Sequence, residues 1–303
     1  MKYFLLPLSL AFSATTATAQ PTPAQSTPTP YTLPGSTTRI VTAPGGEAYR
    51  LFVHIPDSPP PPQGFPLLYV LDGADNFPIA VATALRLARA GARSGVEPGI
   101  IVGIDSGTLQ RRARDYTPRF DRPATREGQP GHGLPTGGAD AFLDFIAQHL
   151  QPALAKEQRI DPARIGITGH SFGGTLALHA ALTRPAMFSN VTAASPSLWL
   201  ADEAMLRKAQ NLPQNLPQNL PQNLPLRAGN TKNAPRLPAL ILTVGEQEKP
   251  EPLHRFAAAL TAKNYKVRTR ILSGEDHGST MPTTITEAVR AAFAKAHGTS
   301  VAH

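Results

Sequence analysis

The chain has 303 residues, 41% hydrophobic and 17% charged, with a formal net charge of +8 at pH 7. That composition supports a sizeable core and excludes collagen, a coiled coil and a wholly disordered chain. The absence of cysteine removes disulfides, thiolate metal sites, a cysteine nucleophile and lipid attachment through an N-terminal cysteine.

Residues 1–19 read as a secretory leader. Lys2 supplies the positive end, Tyr3 to Phe12 the apolar run, and Ala17-Thr18-Ala19 the small-residue cleavage pattern. Cleavage after Ala19 is expected, which implies a periplasmic or secreted bacterial protein. The run is too short to span a bilayer and is broken by Pro7 and Ser9; no later segment has the length either, so no membrane span is expected. Residues 20–36 are mainly Pro, Thr, Gln and Ser, the composition of a disordered lead-in. A folded domain is expected over 37–298, followed by a tail at 299–303.

Strand-like runs recur through this domain at Thr38 to Thr42, Glu47 to Ile55, Pro66 to Leu71, Gly99 to Ile104, Ile165 to Gly169, Asn190 to Ala194, Ala239 to Val244 and Lys266 to Leu272. Helical patterns fall at 77–93, 138–155, 172–184, 251–263 and 283–297. The first two strands, joined by Ala43-Pro44-Gly45-Gly46, predict an antiparallel hairpin at one edge. The later ones are apolar at consecutive positions, as strands covered on both faces should be. Strand and helix in alternation imply an α/β fold with a mostly parallel central sheet and helices on both faces. Gln210 to Pro225 is four copies of Gln-Asn-Leu-Pro. Proline at every fourth position denies both helix and central strand, so an exposed insertion is expected at 210–225.

The sharpest chemical signal is Gly169-His170-Ser171-Phe172-Gly173-Gly174, between an apolar strand and a helical pattern. A serine at a tight strand-to-helix turn needs small residues on either side, and the turn presents its hydroxyl above the sheet edge. A serine hydroxyl needs a base. His277 follows the last strand and precedes the terminal helix, where the base of such an arrangement belongs. The acid that orients it should follow the preceding strand. Gly245-Glu246-Gln247-Glu248 offers two carboxylates there; Glu248 is favoured, three residues past the glycine, with Glu246 the alternative. Two amides must face the oxyanion: that of Phe172, after the nucleophile, and one from the turn after an earlier strand, assigned to Gly73 in Leu71-Asp72-Gly73. Arg111, Arg112 and Arg114 leave the Gly99 to Ile104 strand on the active-site side and would suit an anionic substrate, unless Arg114 and Asp115 merely pair within the loop. Trp199 is either a pocket wall or core packing.

The segments LLYVLDG (67–73), RRARDYTP (111–118), TGGADAFLDFI (136–146), DPARIGITGHSFGGTLALHAAL (161–182), SPSLW (195–199) and GEDHGS (274–279), in this order, resemble the α/β-hydrolase esterase family. Within it they are most similar to the bacterial siderophore esterases that open the trilactone of enterobactin and salmochelin. The resemblance covers about residues 38–297. It implies the α/β-hydrolase fold, Ser171 as nucleophile, His277 as base, and Gly73 with Phe172 as the oxyanion hole. The Gln-Asn-Leu-Pro insertion departs from the family pattern, and some periplasmic members work with a Ser–His dyad, which bears on the role of either Glu. The expected partner is a small-molecule ester, with an anionic or ferric catecholate ester compatible with the positive charge. No nucleic-acid motif is present. No cofactor is expected, and no metal, because no His/Asp/Glu cluster has ligand spacing. Two other readings share these residues: an acyl, feruloyl or acyl-transferring enzyme of the same fold, and a non-catalytic siderophore-binding protein.

Overall fold

All seven residues of Phe65–Leu71 (β3) are buried, which requires cover on both faces of the strand. Leu67, Tyr69 and Leu71 enter one apolar core and Leu68 and Val70 another, as the two-residue repeat of an extended chain dictates. The structure, a computed structural model, describes residues 29–213 and 237–295. The leader at 1–19, the first part of the lead-in, the insertion from 214 onward and the tail at 299–303 lie outside the described residues.

The other strands are β1 (Ser36–Thr42), β2 (Ala48–His54), β4 (Ile100–Asp105), β5 (Ile160–His170), β6 (Asn190–Ala194), β7 (Ala239–Gly245) and β8 (Lys266–Leu272). They form one sheet in the order β1-β2-β4-β3-β5-β6-β7-β8. β1, β2 and β4 are joined antiparallel and every pair from β4 to β8 is parallel. This is the mostly parallel sheet with an antiparallel edge hairpin that the sequence predicts. The order reverses at β3, so the turns after β3, β4 and β5 open on one crevice at the C-terminal sheet edge.

Helices α1 (Gly73–Arg89) and α8 (Thr280–Ala292) cover one face and pack on each other. The opposite face carries α2 (Leu109–Tyr116), α3 (Ala139–Phe145), α4 (Gln151–Glu157), α5 (Phe172–Thr183), α6 (Leu200–Gln210) and α7 (Glu251–Thr261). Departures from expectation fall at three places, one of them α6, which the sequence does not announce. The arginine loop is the helix α2, started by Thr108, whose hydroxyl accepts the Arg111 amide at 3.3 Å. The helix expected over 138–155 is α3 and α4 joined by a π-helical turn at Ile146–Leu150.

Glycine is required where α5 leaves β5. A Cβ on Gly169 would stand 2.6 Å from the carbonyl carbon of Gly173 and 2.8 Å from the Leu71 side chain, inside any tolerated contact. Gly169→Ala should therefore lower stability by about 2 kcal/mol or more, measured by urea unfolding. A variant as stable as the parent would mean that the first turn of α5 has room to yield.

Candidate active site

Ser171 sits between β5 and α5 with φ 58° and ψ −116°, a backbone conformation an L-residue adopts only under constraint. Its amide donates to the Ala194 carbonyl at 3.0 Å, and its own carbonyl accepts the Thr175 amide at 2.9 Å. Neighbouring strand ends also turn at positive φ: Asp72 after β3 has φ 53° and Ser195 after β6 has φ 41°. Three non-glycine residues thus turn sharply at the ends of adjacent strands.

His277, in the loop between β8 and α8, places Nε2 3.2 Å from Ser171 Oγ and Nδ1 2.7 Å from a Glu248 carboxylate oxygen. Asp276 shapes that loop by accepting the amides of Gly278 and Ser279, both at 2.9 Å. The other Glu248 oxygen accepts the Ser195 hydroxyl at 2.5 Å and the Gly245 amide at 2.9 Å. Burial pushes the Glu248 pKa up, but the bonds from Ser195, Gly245 and His277 together hold it below the usual glutamate range. It is therefore anionic at neutral pH and faces the imidazole as an acceptor. Glu246 is turned elsewhere: it accepts the Ser273 hydroxyl at 3.0 Å and the Gly274 amide at 2.8 Å.

Gly73 and Phe172 are the first residues of α1 and α5, so neither amide has an acceptor within its own helix. The cavity beside Ser171 is lined by Asp72 and Ala74 on either side of Gly73. Gly73 lacks a side chain for a packing reason. A Cβ there would stand 2.7 Å from the carbonyl carbon of Gly103, so glycine lets α1 lie close on β4.

That cavity, of about 530 Å³, is also lined by Asp75, Asp105, Arg112, His170 and Met281. Arg112 is the one arginine of the expected trio among its walls. Its guanidinium is fixed on Asp72 at 2.7 and 2.8 Å and donates to the His170 carbonyl at 3.0 Å. Helix α2 turns the other two away from this cavity. Arg111 donates to the Ala48 carbonyl at 2.9 Å and lies over the Tyr49 ring. Arg114 pairs with Asp115 at 2.8 Å and Glu47 at 3.4 Å, beside a different cavity walled by Tyr49, Phe142 and Phe145. Trp199 is partly exposed just before α6 and is not among the lining residues of the cavity at Ser171.

Four neighbours of the site were not anticipated. The Ser197 hydroxyl, buried, lies 3.2 Å from Ser171 Oγ. The others are Ser195 on Glu248, the Asp72–Arg112 pair, and His170, whose Nε2 lies 2.6 Å from the His277 carbonyl oxygen. Burial, then the charge of neighbouring His277, holds the His170 pKa below its usual value. The segment Ser195-Pro196-Ser197 carries a signal in its paired serines. Asp72 and Arg112 carry none, being 40 residues apart. Among the described residues there is no group of three or more side chains suited to a metal ion and no helix long and apolar enough to cross a membrane.

The arrangement is that of an activated hydroxyl: acceptor carboxylate, imidazole and serine in series, above two free helix-start amides. Comparison with known proteins agrees in kind. The family model described as "Putative esterase" matches residues 43–293. The ferri-bacillibactin esterase BesA of Bacillus subtilis is 29% identical over 278 residues, 87% of this chain and 91% of that protein. The crystal structure of the BES protein from Bacillus cereus is similar with a TM-score of 0.70 at 26% identity, covering 88% of this chain and 98% of that one. The siderophore hydrolase EstB from Aspergillus nidulans has a TM-score of 0.62 at 27% identity, covering 86% and 96%.

Proposed function

The chain belongs to this esterase family, and on that premise we propose that it hydrolyses the backbone esters of a siderophore through an acyl-enzyme on Ser171. His277 Nε2 takes the Ser171 hydroxyl proton as Oγ attacks the ester carbonyl carbon. The oxyanion is held by the amides of Phe172 and Gly73. Collapse of the intermediate expels the alcohol, which leaves with the proton from His277. Water, deprotonated by the same nitrogen, then attacks the acyl carbon and releases the acid and Ser171. Glu248 keeps Nδ1 protonated and Nε2 free, and stabilises the imidazolium formed in each half-reaction.

The observation that carries this reading is the series of contacts from Ser171 Oγ to His277 at 3.2 Å and from His277 to Glu248 at 2.7 Å. The substrate class follows from the relatives, which are named for siderophore ester hydrolysis. A ferric catecholate is the proposed form, and the periplasm or the outside of a bacterial cell, after loss of residues 1–19, the proposed place.

The test is an ester panel: p-nitrophenyl acyl esters, a feruloyl ester and a catecholate trilactone, each with and without ferric iron. The trilactone should have the highest kcat/KM, and exported protein should begin at Gln20 on N-terminal sequencing. A trilactone left intact while acyl or feruloyl esters turn over would refute the substrate class, and a start at Met1 would refute export.

A further inference from the structure

We infer that His170 is a positioning residue for the base, holding the backbone of His277 in place while Glu248 holds its ring. The inference rests on the reading of His277 as the base. His277 lies on a loop with its side chain half exposed, and loops wander more than the elements that flank them. His170, by contrast, ends β5 one residue before Ser171. Its Nε2 reaches across the crevice to the His277 carbonyl oxygen at 2.6 Å, with the two rings 4.6 Å apart. A carbonyl only accepts, so Nε2 carries the proton.

The anchor is itself anchored. The His170 carbonyl accepts from Arg112, and Arg112 is held in a two-point grip by Asp72. The turn after β3, helix α2, the end of β5 and the His277 loop are thereby tied in one series. Two of the three fixings on His277 govern where its reactive nitrogen points: the carbonyl sets the loop backbone, and Glu248 sets the ring. The third, at Ser171, is the contact in which chemistry takes place. Without the Nε2–H donor of His170, the ring keeps its orientation but the backbone that carries it loses its tie to the end of β5, and a displacement of about 1 Å costs on the order of 10²-fold in rate.

The test is steady-state hydrolysis of a p-nitrophenyl ester by His170→Phe, His170→Asn and His170→Gln, beside Ser171→Ala. Phenylalanine keeps the ring shape without a donor, the asparagine amide is too short to reach, and the glutamine amide nitrogen falls near the place of Nε2. His170→Phe and His170→Asn should lower kcat about tenfold or more with KM within about twofold, whereas His170→Gln should recover to within about threefold of the parent. Purely structural packing would be served as well by phenylalanine as by glutamine. A His170→Phe enzyme with parental kcat, or a His170→Gln enzyme as slow as His170→Phe, overturns the inference. If His170→Phe fails to fold by circular dichroism, the Asn and Gln variants decide. Activity retained by Ser171→Ala would overturn the proposed function itself, and is read independently of the His170 series.

Discussion

Ser171→Ala should give a folded protein whose kcat for ester hydrolysis is lower by roughly 10³-fold or more. The fold should survive because the backbone at 171 is held by bonds the side chain does not make: its amide to Ala194, and its carbonyl to Thr175 and Ser197. Alanine meets the same backbone strain as serine. The side chain itself hydrogen-bonds the Ser197 hydroxyl and His277 Nε2, and neither bond holds the backbone at 171. What disappears is the nucleophile, and the free amides at the helix starts can assist attack by water only weakly. Retention of a tenth of the parental rate in a protein of unchanged circular dichroism would sink the assignment.

Glu248→Gln should lower kcat by roughly 10²-fold or more, while Glu246→Gln should stay within a few fold. The asymmetry follows from which hydrogen bonds survive the change. In Glu248→Gln the new amide oxygen can still accept from Ser195 and Gly245, which places the NH₂ group toward His277. Facing a donor, Nδ1 must present its lone pair, so the proton moves to Nε2, the nitrogen that has to receive the proton from Ser171. The base is then blocked by its own tautomer. Glu246 only braces Ser273 and Gly274, and an amide there keeps an acceptor for both. The reverse pattern would transfer the role to Glu246. If both variants stay near parental activity, Ser171 and His277 work as a dyad.

Strands β2 to β7 were legible because each is a run of consecutive or alternating apolar residues, and burial on one or both faces leaves that trace, whereas the edge strands β1 and β8 are largely exposed and show only short β-branched runs. Helices α2 and α6 were not legible. In LQRRARDY only Ala113 and Tyr116 are buried apolar positions, too few for a helical period, and the Thr108 cap that starts the helix reads as loop chemistry. Helix α6 opens with Ala201, Asp202 and Glu203 in left-handed backbone, which no residue preference announces. Ser171 and His277 were readable from local pattern and chain order. The preference for Glu248 over Glu246 rested only on its spacing from Gly245, whereas what separates the two in the fold is Ser195, 53 residues distant. The arginines show the same limit. Arg111, Arg112 and Arg114 looked equivalent in sequence, and the helical turn sends only Arg112 toward Ser171.

Asp72, Ser171 and Ser195, at positive φ at the ends of β3, β5 and β6, each cost the chain on the order of 1 kcal/mol or more relative to relaxed backbone. None is glycine, because each side chain is in use: Asp72 grips Arg112, Ser171 faces His277, and Ser195 donates to Glu248. The crevice therefore concentrates backbone strain at positions whose side chains cannot be exchanged freely. Selection for heat resistance alone would drift toward glycine at Asp72 and Ser195 and lose turnover on the way, whereas selection for turnover alone keeps the strain. The two pressures meet at these three positions, and the core of the sheet has to be stable enough to accommodate both.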